Sequence, residues 1–232
     1  GWTLDGSIND LAVARLATAL LARLHLEDPR RPALEASAEY FRVRAGAHRH
    51  SFDPRLGFYR GRDAEGRFAD PDGYDAARWG GDYTETNGWG TAFSAPHDGA
   101  GLVSLLGGRS ELERRLLEFV TTPERGDDSV RGGYEQVIHE MVEARDQRLG
   151  MLALSNQPAH HIPYMALFAG RPDLTQDLTR TAVERLFSGG EIGQGWPGDE
   201  DNGEMSAWWI FSAVGLYPLI AGTAGYVLTA PL

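Results

Sequence analysis

Carboxylates are concentrated in one glycine-flanked turn, Gly198-Asp199-Glu200-Asp201-Asn202-Gly203, which Trp196 precedes and an apolar, aromatic run containing Trp208, Trp209 and Phe211 follows. Reactive groups on a loop with rigid packing behind it are a common way to mount a site. Three adjacent like charges are costly to bury without a cation, a proton or strong donors nearby. Taken alone, such a turn more often only caps a helix, with Ser206 as the capping residue. Two further segments change that balance. One is Tyr83-Thr84-Glu85-Thr86-Asn87-Gly88-Trp89, followed by His97 and Asp98; the other carries Asn156, Gln157, His160 and His161.

Aromatic side chains beside carboxylates suit sugars, which present an apolar ring face for stacking and hydroxyls for hydrogen bonding. Glycoside hydrolysis needs two carboxyl groups in unlike environments, one protonated to assist the leaving oxygen and one ionised. Glu85 and the Asp199/Asp201 pair fit that division, with the acid expected beside an aromatic wall that raises its pKa. Within the turn, Asp199 and Asp201 at i and i+2 share a side, while Glu200 points elsewhere. Trp89, His97, Asp98, His160, His161 and Trp196 are the substrate-contact candidates. His139-Glu140 lacks the second histidine at i+4 that a zincin helix needs. Asn156, Gln157 and the acidic turn are oxygen donors suited to a hard cation such as calcium.

These loops need elements to hold them, and the elements read as helices. Leu11 to Leu26 is rich in Ala and Leu, with Asn9 or Asp10 as its cap. A second helix runs from Pro32 to about Ala45 and directs Tyr40 and Phe41 inward. Ser51 to Asp82 is polar and irregular. Gly99 to Leu106 reads as a short helix closed by Gly107-Gly108, and Ser110 with Glu113 as a capping box opening the next. Helices through Val137–Val142, up to Gly170, and from Asp173 or Thr175 onward bring the count to about eight. The fold class is mainly α, and the alternation of brief turns with long functional loops suggests an α/α toroid.

Composition narrows the function. The 232 residues carry a formal charge of −11, which argues against a phosphate-backbone partner. Cysteine is absent, excluding disulfides, thiolate catalysis and zinc-thiolate sites. No run of about 18 apolar residues suggests a membrane span. The chain opens on Gly1-Trp2-Thr3 without an initiator Met, so it is read as a piece of a longer product.

The turn 198–203 with the following Glu204-Met205-Ser206-Ala207-Trp208 and on to Tyr217-Pro218 resembles the signature of glycoside hydrolase family 92, the calcium-dependent exo-acting α-mannosidases. The likeness continues in 83–89, in Pro96-His97-Asp98, and in 156–164, and covers nearly the whole chain. It implies an inverting mechanism with Glu85 as general acid and Asp199/Asp201 as the base pair that activates water. It also implies Ca2+, with Asn156 and Gln157 as its nearest ligands, and a mannose-containing glycan as substrate. Gln157 stands where many members have Glu, and Thr86 and Gly90 replace a frequent Gly and Gln. The resemblance implies that residues 1–232 form a single, incomplete segment of an (α/α)6 barrel without the family's N-terminal β-sandwich. Missing parts would then be needed for activity, and the location would be extracellular or periplasmic. Alternative readings are a non-catalytic glycan-binding or inactive truncated relative, another α/α-toroid glycosidase, or a lyase on acidic sugars.

Overall fold

The computed structural model of the chain describes residues 2–188 and 195–232. Its first helix, α1, spans Trp2–Leu21 and so begins upstream of the expected start at Leu11. Asn9 and Asp10 therefore lie inside it and do not cap it. Asp10 is buried and meets Arg44 Nε of the second helix at 3.2 Å, so a polar pair across the contact replaces the expected cap. That second helix, α2 (Arg31–Ala45), has a proline in its first turn and lies along α1. Tyr40 faces solvent, 57% exposed, with Arg44 lying 5.4 Å above its ring; the inward direction expected of it does not hold.

The polar stretch after α2 is ordered by a small hairpin, in which β1 (Phe52–Asp53) pairs antiparallel with β2 (Phe58–Tyr59). Phe52, Phe58 and Tyr59 are buried, and the fully buried Asp53 is held by Arg55 and Arg60 at 2.7 and 2.9 Å. The two guanidiniums hold its carboxyl at a pKa of about 2, with the Arg55 hydrogen bond the main cause.

Five short or medium helices follow: α3 (Gly88–Thr91), α4 (Gly99–Leu106), α5 (Arg109–Thr121), α6 (His139–Gln147) and α7 (Ala166–Ala169). Helix α4 ends in Gly107 at φ 99°, the left-handed position that favours glycine. Helix α5 starts from Gly108 without the capping box, because Glu113 reaches Arg171 instead. Then come α8 (Pro172–Leu186) and α9 (Glu204–Ala213), and a last hairpin of β3 (Leu216–Tyr217) and β4 (Val227–Leu228).

Helix α5 packs against α4 and α7, and α8 against α7 and α9. The core between them holds Trp89, Phe93, Leu116, Phe119, Met141 and Tyr164. Burying side chains of this size supplies roughly 1.5 to 3 kcal/mol each, and fixes the helices from which the functional loops project. No helix among the described residues is long and apolar enough to cross a membrane.

Candidate active site

The loop bearing Glu85 is pinned from behind. Gly80 N donates to Thr86 O at 3.1 Å and Trp79 bridges to Asn87. Asn87 caps α3 by accepting from Gly90 N at 2.9 Å, and donates from Nδ2 to the buried Glu124 at 3.2 Å. The same Glu124 oxygen accepts Trp79 Nε1 at 3.1 Å. Glu124 therefore fixes both flanks of the Glu85 loop at one carboxylate. Burial pushes its pKa up, against the pull of its donors.

Glu85 stands on the outer side of this anchored loop with a left-handed backbone, φ 52°, and its N–H donates to Tyr134 Oη at 2.9 Å. Such a conformation costs an L residue on the order of 1 kcal/mol or more and persists only where surroundings enforce it. Besides Arg148, the non-glycine residues with positive φ among those described are Glu85, Asp201 and Asn202, and these three line one cavity.

The Asn156 loop joins the two acidic segments. Asn156 Nδ2 donates to Glu85 Oε2 at 3.2 Å and to the Glu85 carbonyl at 3.3 Å. The adjacent Gln157 donates from Nε2 to Asp201 Oδ2. Consecutive amides therefore hold a carboxylate from each segment. In the acidic turn, Glu200 Oε1 accepts Ser206 N at 3.0 Å and its carbonyl accepts Met205 N, so Glu200 caps α9 and Ser206 lies within the helix. Asp199 and Asp201 face the cavity instead.

This cavity measures about 490 Å³, with Glu85, Asn156, Gln157, Asp199 and Asp201 in its wall. A comparison with known sequences decides what kind of chain carries it: the model of the glycosyl hydrolase family 92 catalytic domain matches residues 1–232. The chain belongs to glycosyl hydrolase family 92.

Solved family-92 structures agree. An inverting mannosidase of family GH92 from Bacteroides thetaiotaomicron VPI-5482 is 33% identical with a TM-score of 0.75, covering 99% of this chain and 29% of that one. An α-mannosidase of family GH92 from Bacteroides thetaiotaomicron, in complex with mannoimidazole, is 25% identical with a TM-score of 0.78, covering 99% of this chain and 28% of that one. An uncharacterized secreted glycosidase of Arthroderma benhamiae is 27% identical over 134 residues, 58% of this chain and 14% of the relative. The chain thus spans less than a third of these relatives' length.

Several substrate-contact candidates of this family-92 chain lie away from the cavity. Trp89 is buried in the core, edge-on to Phe58 at 5.0 Å, so its indole packs helices and offers no stacking face. His97 Nε2 donates to Ala45 O at 3.0 Å, and Asp98 caps α4 while pairing with His48 at 3.0 Å and Arg49 at 2.6 Å. Burial would raise the Asp98 pKa, but the hydrogen bonds from His48 and Arg49 outweigh it and lower it. His97 and Asp98 thereby fasten the end of α2 and the turn after it to the start of α4. Trp196 packs edge-on to Phe187 at 5.9 Å. His161 lines a neighbouring cavity, with Nε2 donating to Phe93 O at 2.9 Å; burial lowers its pKa to about 4. Glu85 itself is exposed to the cavity rather than set against an aromatic wall, because Trp89 turns inward.

The cavity also holds His139 and Glu140, which fail as a zincin pair but meet the acidic turn here, and Ser155, Asn202 and Glu204, which the sequence did not single out. His139 meets Glu143 at 3.0 Å, a bond that raises its pKa. The buried His160 bonds Glu204 Oε1 through Nδ1 at 2.9 Å and the Leu154 carbonyl through Nε2 at 3.2 Å. Since a carbonyl only accepts, Nε2 carries a hydrogen. Glu204 opens α9 directly after the acidic turn, and that adjacency was the signal available.

Proposed function

We propose that this chain is the core of a glycosidase site that hydrolyses terminal α-mannosidic linkages with inversion, acting on mannose-containing glycans. The observation that carries this reading is the pair of carboxylates, Glu85 and Asp201, held by the adjacent amides of Asn156 and Gln157 across one cavity that Asp199 also enters. Glu85 is the general acid, and protonates the glycosidic oxygen as the bond to the anomeric carbon breaks. Asp199 and Asp201 take a proton from water on the opposite face as it attacks. That two solved relatives are mannosidases supports the sugar, and that one of them is an inverting enzyme supports the stereochemistry.

The wall suits a hard cation. Glu85, Glu140, Asp199, Asp201 and Glu204 are acidic, while His139 is its only basic member among the described residues. Two buried wall oxygens, Glu140 Oε2 and Ser155 Oγ, lack a hydrogen-bond partner. No group of three His, Asp or Glu residues among those described stands close enough to hold a metal alone, so a cation held here would draw on amide oxygens as well. Calcium is accordingly assigned to this cavity, with Asn156 and Gln157 as its amide ligands. When bound it supplies positive charge to the sugar's vicinal hydroxyls.

The helices are read as part of an (α/α)6 barrel, with residues 1–232 as one segment of it. That the Arthroderma relative is a secreted glycosidase supports an extracellular or periplasmic setting. The test is hydrolysis of α-linked mannosides by the protein at the full length its gene encodes, with NMR of the first-formed anomer. β-Mannose as initial product and loss of turnover on chelation, restored by calcium, are expected. Retention of the α-anomer would rule out the inverting assignment.

A further inference from the structure

Three N–H groups converge on one carboxylate behind the Glu85 loop. Glu124, only 7% exposed, accepts Trp79 Nε1 at 3.1 Å and Asn87 Nδ2 at 3.2 Å on Oε2, and Gly126 N at 3.0 Å on Oε1. A glutamine has one acceptor oxygen, and its NH2 would face one of these donors; an ionised glutamate satisfies all three. Arg125, the neighbouring cation, pairs with Asp75 at 3.1 Å, so the N–H groups that hold the Glu124 charge are neutral. A buried charge held this way adds little to stability over an apolar side chain of like size. Its worth lies in what it holds in place.

What it holds is the Glu85 loop. Trp79 precedes Glu85 and Asn87 follows it, and both are buried, whereas Gly81, Asp82, Thr84 and Glu85 between them are exposed. The Asn87 amide is engaged at both ends, since Oδ1 accepts Gly90 N at 2.9 Å while Nδ2 donates to Glu124. One orientation of its plane keeps both bonds, and that orientation fixes the backbone beside Glu85. Proton transfer to a glycosidic oxygen needs the two heavy atoms about 2.6 to 3.2 Å apart, and a displacement of about 1 Å costs on the order of 10²-fold in rate.

We propose that Glu124 is the positioning residue of the general acid: through Asn87 and Trp79, its carboxylate sets where the Glu85 carboxyl meets the glycosidic oxygen. The inference rests on the reading of Glu85 as that acid. Glu85 also donates from its N–H to Tyr134 Oη, and its carboxyl accepts from Asn156. These contacts survive the loss of the Glu124 bonds, so the loop is then displaced rather than undone. A displaced acid slows only those substrates whose leaving oxygen needs a proton.

Two substrates with one mannosyl group separate the outcomes in the protein at its full encoded length. Glu124→Gln should lower kcat on an α-mannobiose by about 10- to 100-fold, but kcat on 2,4-dinitrophenyl α-mannoside, whose phenolate leaves without a proton, by less than about threefold. Asn87→Ser keeps the cap of α3 and deletes the Nδ2 donor. It should show the same split, and covers the case in which Glu124→Gln fails to fold. Added to Glu85→Gln, the Glu124→Gln change should lower kcat on the mannobiose by no more than about a further twofold, because the acid is already gone. Equal losses on the two substrates, no loss, a full additional loss in the double variant, or failure of both single variants to fold would overturn the positioning role and leave Glu85 as acid. Undiminished kcat of Glu85→Gln on the mannobiose would overturn the acid and this inference with it.

Discussion

Glu85, Asp201 and Asn202 hold left-handed backbones that ordinary side chains avoid, and each is trapped by hydrogen bonds or sequence neighbours at the same cavity. Strain collected at one place is a mark of a site whose geometry outranks local preference. With Glu85 as acid, Glu85→Gln keeps the shape and the Asn156 contact but cannot give up a proton. Its kcat on an unactivated α-mannoside should fall by roughly 10² to 10⁴. Steady-state kinetics with a folded variant checks this, and undiminished kcat would remove Glu85 from the mechanism. His161 makes a separate prediction. The unfolded chain protonates this ring near 6.5, whereas the folded ring stays neutral down to about 4. Its contribution to stability is therefore fully present above pH 6.5 and is lost as pH falls through that window. Denaturation midpoints at pH 7 and pH 5 should differ less in His161→Gln than in the unaltered chain.

At the scale of elements, the Glu85 loop depends on packing from a distant segment. Gly132 has φ 54°, and a Cβ there would stand 2.0 Å from the Trp79 carbonyl, the residue whose indole shares Glu124 with Asn87. Gly132→Ala should cost roughly 2 kcal/mol or more in urea denaturation, and raise KM or lower kcat through the displaced loop. Local sequence explains why α4 ends at Gly107, because a left-handed terminus favours glycine at one position. It could not foresee that Glu113 would leave its capping box for Arg171, or that Glu200 rather than Ser206 would cap α9. Those choices turn on partners far along the chain or on a turn's exact path.

Across the whole molecule, large apolar side chains remain exposed on α1, on α9 and just past its end, among them Leu16 at 60%, Ile210 at 53% and Val214 at 54%. Contiguous exposed apolar surface marks an interaction face or an aggregation liability. The isolated 232-residue chain should bind a dye such as ANS and self-associate as concentration rises, with little turnover of mannosides. Light scattering and dye fluorescence test the first part; a monodisperse, dye-silent and active chain would count against it.

What the residues determine by themselves is the inventory of chemistry. A glycine-flanked acidic turn, a glutamate in an aromatic segment and an Asn-Gln pair are local arrangements, and their types and spacings already point to oxygen chemistry on a sugar. The alternation that turns Glu200 away from Asp199 and Asp201 is equally local. Only the tertiary structure decides which members of that inventory meet. Trp89, His97, Asp98 and His160 have the same chemical promise on paper as Glu204 or His139. Their indole, imidazoles and carboxylate are drawn into packing, capping and ion pairs because burial is set by contacts from far along the chain. The acidic turn ends as one wall of a cavity whose other walls come from segments more than 40 residues away in sequence, and that closure is a property of the fold.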